Sequence, residues 1–376
     1  MDSRAPILDA VDRFLLDRLQ RELPLTERPF RTIAEECPSP AREEPSRRRR
    51  AAGGEGPNAV LPAAGVSEAE VLARLEQLKH RKLIRRIGAV MNSRALGYTG
   101  TLCGVIVAPD ALESVAAAVG AYAGVTHNYE REDRFNLWFT LLARDRETVA
   151  QVVSEVSAQA GVRRLVELPM EREYKIHVQF RLVEKGPSGA AASSAPQPGG
   201  DCPRARKAPP APGARERAII RAVQDDLPLE ARPYAVLARR CDAAGHPLGE
   251  AQLLEELRRF CSLGYIRRIG AALSHRSAGY RGNAMVVWRV PPAICDEIGR
   301  RVAAYEEVSH CYRRRPAAGW PYNLYAMVHA RSREECSERI ARLTAAAGGH
   351  PHRVLASLRE FKKSSMRYFC EENANA

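Results

Sequence analysis

The amino-acid sequence predicts an α+β protein that is a tandem duplication. Each copy is expected to be a winged helix-turn-helix-like part followed by a ferredoxin-like βαββαβ part. Two observations predict this class: the 376-residue sequence repeats itself, and in each copy helical periodicity gives way to the alternation typical of strands. A chain of this length can hold two or three domains, each with its own core.

The repeat rests on five collinear blocks. The strongest is LIRRIGA at 83–89 against YIRRIGA at 265–271, an offset of 182 residues. The other blocks, with their offsets, are Gly97-Tyr98 and Gly279-Tyr280 (182), 127–129 and 310–312 (183), 135–138 and 322–325 (187), and 23–30 and 227–234 (204). Blocks that keep their order with small drifts indicate duplication of a whole unit.

Two stretches are predicted to lie outside the folded units. The fall in offset from 204 to 182 places an insertion in copy one at about 37–66. Its Pro, Arg and Gly content predicts a disordered loop, and the arginine run at 47–50 is typical of a solvated charge run. Residues 186–213 are rich in Pro, Ala, Ser and Gly, which predicts a flexible linker. The predicted domains are helix-turn-helix-like at 1–98 and 214–280, and ferredoxin-like at 99–185 and 281–376.

Three helices are predicted to open each copy. In copy one, apolar residues at helical spacing predict the first helix, and Ser67 with Glu70 forms a capping-box pattern that begins the third. The expected helices are 7–19, 30–36 and 67–81 in copy one, and 214–223, 234–240 and 250–261 in copy two. Alternating apolar and polar residues at 83–92 and 265–274 then predict a strand or wing in each copy.

The second part of each copy is predicted to be a βαββαβ sheet. The elements expected in copy one are strand 101–107, helix 109–122, strands 125–131 and 135–142, helix 146–158 and strand 162–168. Copy two repeats the pattern from 283 to about 358. Helices followed by a strand-rich half are typical of the α+β class.

The composition favours an anionic partner. The chain has 58 Lys+Arg against 45 Asp+Glu, a net charge of +13, although a coding bias toward arginine accounts for much of it. Nine irregularly spaced cysteines without a Cys-x-x-Cys pair argue against a zinc site or a disulfide framework. No segment approaches the ~20 apolar residues of a membrane span, and none resembles a signal peptide. A soluble, cytoplasmic protein is therefore expected.

The predicted architecture is similar to that of the Lrp/AsnC transcription regulators, and particular segments resemble a narrower family. IRRIGA at 266–271, NAMVVW at 283–288, SHCYRR at 309–314 and WPYNLY at 320–325 look like segments of the siroheme decarboxylases. Those enzymes share the Lrp/AsnC fold and act in haem d1 synthesis or in the siroheme-dependent haem route. They occur as two related subunits or as a fusion, and this chain resembles a fusion.

The resemblance implies a carboxy-lyase. The reaction would remove the carboxyl groups of the ring C and ring D acetate side chains of siroheme, giving 12,18-didecarboxysiroheme with no added cofactor. Siroheme is the implied substrate, and related haem d1 biosynthesis subunits are possible partners. The sheet domains are expected to pair as a pseudo-dimer or homo-oligomer. Whether the product serves haem d1 or haem is left open.

The candidate catalytic residues are His310, His127 and Tyr312, with Tyr129 as a substrate-binding neighbour. In each copy the histidine and tyrosine are at i and i+2 of a predicted strand, so they share a face. Loss of CO2 leaves carbanion character, and a histidine could supply the proton, hold the carboxylate as imidazolium or ligate the siroheme iron. The alternative is a partly buried structural histidine, and recurrence in both copies favours function.

Five arginines are candidate substrate-binding residues: Arg85, Arg86, Arg267, Arg268 and Arg314. The first four lie where each wing meets its sheet. Siroheme is a polycarboxylate, and several guanidinium groups are suited to hold it. The alternatives are a wing that contacts DNA phosphate and plain surface charge, which is the expectation for one arginine of each pair.

Three more residues of copy two complete the candidate set. Trp320 and Tyr322 could stack on a macrocycle face, although such aromatic residues are more often core. His275 follows the Arg267-Arg268 pair, and copy one has Ser93 at the matching position. Because the copies differ here, we expect one principal site, shaped mainly by copy two.

A DNA-binding regulator and a non-catalytic tetrapyrrole-binding protein are the alternative functions. A recognition helix should present polar and basic side chains to DNA. The candidate helix at 250–261 instead carries Glu250, Glu255 and Glu256, and its counterpart in copy one is also acidic. DNA binding is therefore disfavoured, whereas the sequence does not separate an enzyme from a carrier.

Overall fold

The computed structural model describes residues 8–38, 65–176, 209–274, 277, 279–280 and 282–370. The insertion predicted at about 37–66 and the linker predicted at 186–213 lie mostly outside these residues, and His275 lies outside them. Within the described ranges, no helix has the length and apolar character needed to span a lipid bilayer.

Both copies contribute the same series of elements. Those of copy one are α1 (Ala10–Arg21), α2 (Pro29–Glu36), α3 (Glu68–His80), β1 (Ile84–Met91), β2 (Thr99–Val107), α4 (Leu112–Ala121), β3 (Val125–Arg131), β4 (Leu137–Ala143), α5 (Arg146–Ser157) and β5 (Val162–Ile176). Those of copy two are α6 (Ala214–Val223), α7 (Pro233–Ala243), α8 (Glu250–Leu263), β6 (Ile266–Leu273), β7 (Gly282–Trp288), α9 (Cys295–Ala303), β8 (Val308–Arg314), β9 (Leu324–Ala330), α10 (Arg333–Ala346) and β10 (His352–Lys363). The predicted fold class is confirmed.

Local capping explains where several helices begin and end. The Asp9 side chain accepts a hydrogen bond from the amide of Asp12 and begins α1. Ser67 Oγ accepts from the amide of Glu70 at 3.1 Å and begins α3, which is one half of the predicted capping box; the Glu70 carboxylate instead pairs with Arg74. Gly264 ends α8 with φ 78°, a left-handed conformation that glycine adopts at low cost.

The helical parts of the two copies share one hydrophobic core, to which β1 and β6 also contribute. β1 and β6 pair with each other in antiparallel fashion, with Gly88 opposite Gly270. The segments predicted as a strand or wing in each copy are therefore strands, and together they form one two-stranded ribbon between the copies. A Cβ at Gly270 would collide with the carbonyl of Leu19, and a Cβ at Gly88 with that of Asp225, so the ribbon packs closely on both helical parts.

The βαββαβ parts close into one eight-stranded barrel. Its strand order is β10-β3-β4-β2-β5-β8-β9-β7, and β7 pairs back to β10. Helices α4 and α5 pack on the outer face of the copy-one sheet, and α9 and α10 pack on that of copy two. The inner faces of both sheets meet in a core that includes Trp138, Trp320 and Tyr325.

The last strand of each copy joins the two sheets. β5 pairs with β2 as far as Pro169 and with β8 of copy two from Met170 onward. β10 pairs with β7 up to Ala356 and with β3 of copy one from Ser357 onward. The strand ends expected at 168 and about 358 are therefore wrong. The continuation is rich in charged residues, and its pairing partner belongs to the other copy.

A repeated motif fastens each crossing strand to the other copy. It is REYK at 172–175 and REFK at 359–362, an offset of 187 residues. Arg172 forms an ion pair with Asp296 at the start of α9, and Lys175 Nζ donates to the carbonyl of Tyr305 just beyond α9 at 2.6 Å. The matching pairs are Arg359 with Glu113 and Lys362 with the carbonyl of Tyr122. Each last strand is thus bound to both ends of a helix from the other copy.

We predict that Gly299→Ala weakens the joint between β5 and α9. A Cβ at Gly299 would overlap the ring of Tyr174, and overpacking of this kind costs about 1–3 kcal/mol. Urea denaturation followed by circular dichroism should show a lower midpoint. Gly120→Ala in α4 is the control, because nothing lies within 4 Å of a Cβ there and alanine favours the helix. An unchanged midpoint for Gly299→Ala would contradict the contact.

Candidate active site

Three side chains at every second position of β3 point to the inner face of the barrel, and β8 carries three equivalent side chains. They are His127, Tyr129 and Arg131 on β3, and His310, Tyr312 and Arg314 on β8. The intervening Asn128 donates to the carbonyl of Ala116 in α4 at 2.8 Å, which places Asn128 on the outer face and the β3 triplet on the inner face. The ring centroids of each His–Tyr pair lie 6.2 Å apart in copy one and 6.1 Å apart in copy two.

Arg131 and Arg314 are buried inside the barrel, and neither forms an ion pair with a carboxylate in the described part of the chain. Arg131 donates to the carbonyl of Leu355 at 3.1 Å, and Arg314 donates to that of Leu168 at 2.9 Å. Burial lowers the pKa of Arg131 to about 10 and shifts that of Arg314 in the same direction. Both groups are still charged near neutral pH, so each places a positive charge inside the barrel.

Two glutamates that sequence reasoning missed complete these sets. In the paired strands, Glu360 lies opposite Tyr129 and Glu173 lies opposite Tyr312, so each tyrosine meets a glutamate from the other copy. Tyr129 Oη donates to Glu360 Oε2 at 3.0 Å. Burial, followed by the charge of Glu360, raises the pKa of Tyr129, so the phenol keeps its proton. The signal that could have found both glutamates is the REYK/REFK repeat.

Each strand of the ribbon carries two consecutive arginines, and the second of them donates hydrogen bonds to backbone carbonyl groups. Arg86 donates to the carbonyls of Gln224 at 2.5 Å and Ala89 at 2.8 Å. Arg268 donates to the carbonyl of Ala271 at 3.3 Å. Burial lowers the pKa of both guanidinium groups, that of Arg268 to about 10. These contacts position the ribbon, although Arg86 also borders the cavity described next.

The first arginine of each pair faces the barrel. Arg267 makes a two-pronged ion pair with Glu173, with Nη1–Oε1 at 3.0 Å and Nη2–Oε2 at 2.9 Å. Arg85 has no hydrogen-bond or ion-pair partner among the described residues. With His127 it lines a cavity of about 210 Å³ between β1, the start of β3 and the segment that follows β10. The two equivalent arginines therefore differ: Arg267 is paired with a glutamate, and Arg85 faces the cavity.

His127 is neutral at neutral pH. Its Nδ1 lies 3.0 Å from Thr126 Oγ1. Burial, and then the positive charges of Lys363 and His310, lower the pKa of His127 to about 3. An imidazolium at His127, one of the roles considered from the sequence, is therefore not populated unless an anionic group beside it raises that pKa.

His310 is connected to a second histidine. The buried Ser309 Oγ lies 2.9 Å from His310 Nδ1 and 2.8 Å from His329 Nε2. A hydroxyl in this position can accept from one imidazole while it donates to the other. Copy one has Thr126 and Leu142 at the matching positions, so the connection occurs in copy two. Sequence reasoning missed His329, because it is 20 residues from Ser309 in sequence and only the pairing of β8 with β9 brings the two side chains together.

Trp320 and Tyr322 lie away from His127 and His310. Trp320 is buried against Phe135 and Trp138, with ring centroids 5.1 and 5.2 Å away, and Tyr322 packs on Trp320 with centroids 4.9 Å apart. Phe135 follows the end of β3, whereas His127 lies near its start. These aromatic residues therefore close the opposite end of the barrel, where they act as core.

We predict that His127 makes the protein less stable on acidification. The pKa of His127 is about 3 in the folded chain and near 6.5 in the unfolded chain, so between these values the unfolded chain binds more protons. Stability should fall as the pH drops below 6.5, by up to about 1.4 kcal/mol per pH unit for this one group. Urea denaturation between pH 7 and 4 should show a shallower pH dependence for His127→Gln. Substitution of the exposed His352 is the control, and equal slopes for His127→Gln and the parent would exclude this origin.

Two sequence profiles match the chain. That of the AsnC-like ligand binding domain matches residues 95–175 and 277–362. That of the siroheme decarboxylase NirDL-like HTH domain matches residues 216–267. The two profiles agree with the division of the chain into helical and barrel parts.

Known proteins are similar over the whole chain and over parts of it. A siroheme decarboxylase of Hydrogenobacter thermophilus is 34% identical over 361 residues, which is 95% of either chain. The siroheme decarboxylase beta subunit of Desulfovibrio desulfuricans is 43% identical over 155 residues, 41% of this chain and 94% of the subunit. The crystal structure of the siroheme decarboxylase NirDL in complex with an iron-uroporphyrin III analogue has a TM-score of 0.64 at 28% identity and covers 97% of this chain and 96% of that chain.

These matches agree with the duplication, since a single subunit corresponds to less than half of the chain and a full-length relative to nearly all of it. The chain belongs to the siroheme decarboxylase family.

Proposed function

We propose that the chain removes the carboxyl groups of the acetate side chains on rings C and D of siroheme, giving 12,18-didecarboxysiroheme. The observation that carries the proposal is the cavity at the ribbon end of the barrel, which Arg85, Arg86 and His127 all line. Guanidinium and imidazole groups in one cavity suit both the binding of a carboxylate and its removal. Membership of the siroheme decarboxylase family supports the same substrate.

Recognition would rest on guanidinium groups that have no carboxylate partner among the described residues. Siroheme carries several carboxylates, and Arg131 and Arg314 are buried charges without an ion-pair partner in the described structure. Arg85 offers a further guanidinium at the cavity. Sites for small molecules usually measure about 300–1,000 Å³, so a cavity of about 210 Å³ would hold one carboxylate-bearing edge of the macrocycle.

The reaction requires one proton for each acetate. Release of CO2 from a carboxymethyl group leaves the bonding electron pair on the methylene carbon, and protonation of that carbon gives a methyl group. His310 is the proposed donor, because Ser309 connects it to His329 through contacts of 2.9 and 2.8 Å. Proton return along this path would reset His310 before the second acetate reacts.

The other candidates have supporting roles. Burial raises the pKa of Tyr129 and of Tyr312, so both phenols keep their protons. Tyr312 can donate its hydrogen bond to a substrate carboxylate, whereas Tyr129 already donates to Glu360. A neutral imidazole is the form that ligates iron, which suits His127 as a ligand of the siroheme iron. Arg267 and Arg85 would bind carboxylates on the two sides of the barrel mouth, which is the end of the barrel next to the β1–β6 ribbon.

DNA binding is disfavoured by the charges on the helices that could enter a groove. Glu68 at the start of α3 forms an ion pair with Arg28, and Glu250 at the start of α8 forms one with Arg232. These arginines are partly neutralised, and the carboxylates would repel DNA phosphate. A tetrapyrrole carrier without activity is distinguished by the product assay below.

We predict that His310→Ala lowers turnover by about 10²–10⁴-fold, the usual contribution of a general acid, while siroheme binding changes far less. Anaerobic incubation with siroheme followed by mass spectrometry should show loss of two CO2 with the parent. His352→Ala, at an exposed position of β10, is the control and should keep parental turnover. Equal turnover of His310→Ala and the parent would exclude His310 as the donor. A spectral shift of siroheme without mass change in the parent would indicate a carrier.

A further inference from the structure

The equivalent glutamates of the two crossing strands have different partners. Glu360 Oε2 accepts a hydrogen bond from Tyr129 Oη at 3.0 Å. Glu173 instead holds Arg267, with oxygen–nitrogen distances of 3.0 and 2.9 Å. Since both glutamates belong to the same repeated motif, the difference lies in their surroundings. It makes the two sides of the barrel mouth chemically unequal.

Glu173 occupies the position on Arg267 that a substrate carboxylate would take. The two parallel contacts use both terminal nitrogens of the guanidinium, and Asn92 Oδ1 lies 3.3 Å from Nη2. The side chains of Arg267 and Glu173 are 30% and 25% exposed, so an incoming anion can reach the pair. A carboxylate that binds Arg267 in the same fashion has to displace Glu173.

Arg85, the counterpart of Arg267, is not occupied in this way. It is exposed, it lines the cavity, and no described residue forms a hydrogen bond or ion pair with it. The glutamate on its side of the barrel, Glu360, is engaged by Tyr129. A carboxylate can therefore bind Arg85 without removing a protein group.

We propose that Glu173 competes with the substrate for Arg267. Arg85 then binds a substrate carboxylate directly, whereas Arg267 binds one only after Glu173 has been displaced. The inference rests on the proposed function, because it assigns these roles toward a polycarboxylate tetrapyrrole. A two-pronged guanidinium–carboxylate contact has the same geometry whether the carboxylate belongs to protein or to ligand. A tethered competitor also acts at a high effective concentration, so Glu173 weakens binding on the copy-two side.

The test is a titration of the full chain with iron-uroporphyrin III, followed by absorbance at fixed ionic strength. Glu173→Gln removes the competing charge and should lower Kd about tenfold. Glu360→Gln is the matched control, because it removes the same charge at the equivalent position but frees no guanidinium. It measures how much the affinity for an anionic ligand rises when any one negative charge is removed, and it should change Kd by about twofold or less. Adding Arg267→Gln to Glu173→Gln should abolish the gain.

A second measurement uses the arginines. Arg85→Gln should raise Kd more than Arg267→Gln, because only Arg267 is neutralised by the protein before the ligand arrives. Thermal melting identifies any variant that does not fold. If Glu173→Gln is such a variant, Glu173→Asp, which keeps the charge but is too short for the same two-pronged contact, should tighten binding in its place.

Equal Kd values for Glu173→Gln and Glu360→Gln would overturn the proposal, as would equal losses for Arg85→Gln and Arg267→Gln. Product analysis with siroheme on the same samples separates this result from the proposed function. Tighter binding by Glu173→Gln without product from any variant or the parent would support Glu173 as a competitor and contradict the proposed decarboxylase activity. Product from the parent with no gain for Glu173→Gln would retain the enzyme and reject the competitor.

Discussion

Pairing of each copy's last strand with the sheet of the other copy is the constraint on which the rest of the structure depends. β5 and β10 each satisfy their backbone hydrogen bonds half within their own copy and half across the barrel. Separation of the copies would expose these strand edges and break the ion pairs of Arg172 and Arg359 with the opposite helices. A single copy therefore has neither a closed barrel nor the glutamate that lies opposite its own tyrosine.

The crossing strands also decide what lies inside the barrel mouth. They deliver Glu173 and Glu360 to the tyrosines of the opposite copy, beside the buried Arg131 and Arg314. Burying a guanidinium without a carboxylate is unfavourable, because the charge loses its hydration and is compensated only by neutral carbonyl and hydroxyl groups and by tyrosine rings. The barrel interior combines this unfavourable positive charge with tyrosines whose raised pKa keeps them protonated. Such an interior is suited to an anion that brings its own negative charge.

The two copies keep the same framework and differ at several candidate site residues. Both have a histidine, a tyrosine and an arginine on alternate positions of one strand. Copy two adds the contact of Ser309 with His329, and it holds Arg267 with a glutamate. Duplication allows this divergence, because a substitution in one copy leaves the other copy unchanged, whereas in a dimer of identical subunits it would alter both sites.

The sequence by itself determined the duplication, the fold class, most helix boundaries and the shared face of His310 and Tyr312. Repeats, caps and period-two alternation are properties of neighbouring residues, so they are visible without coordinates. Tertiary structure alone decided the length of β5 and β10, the partners of the arginines and the placement of Trp320 as core. Arg267 and Glu173 are 94 residues apart in sequence, and Tyr129 and Glu360 are 231 apart. Only the closure of the barrel brings such residues together, because their contact depends on which distant strand lies opposite.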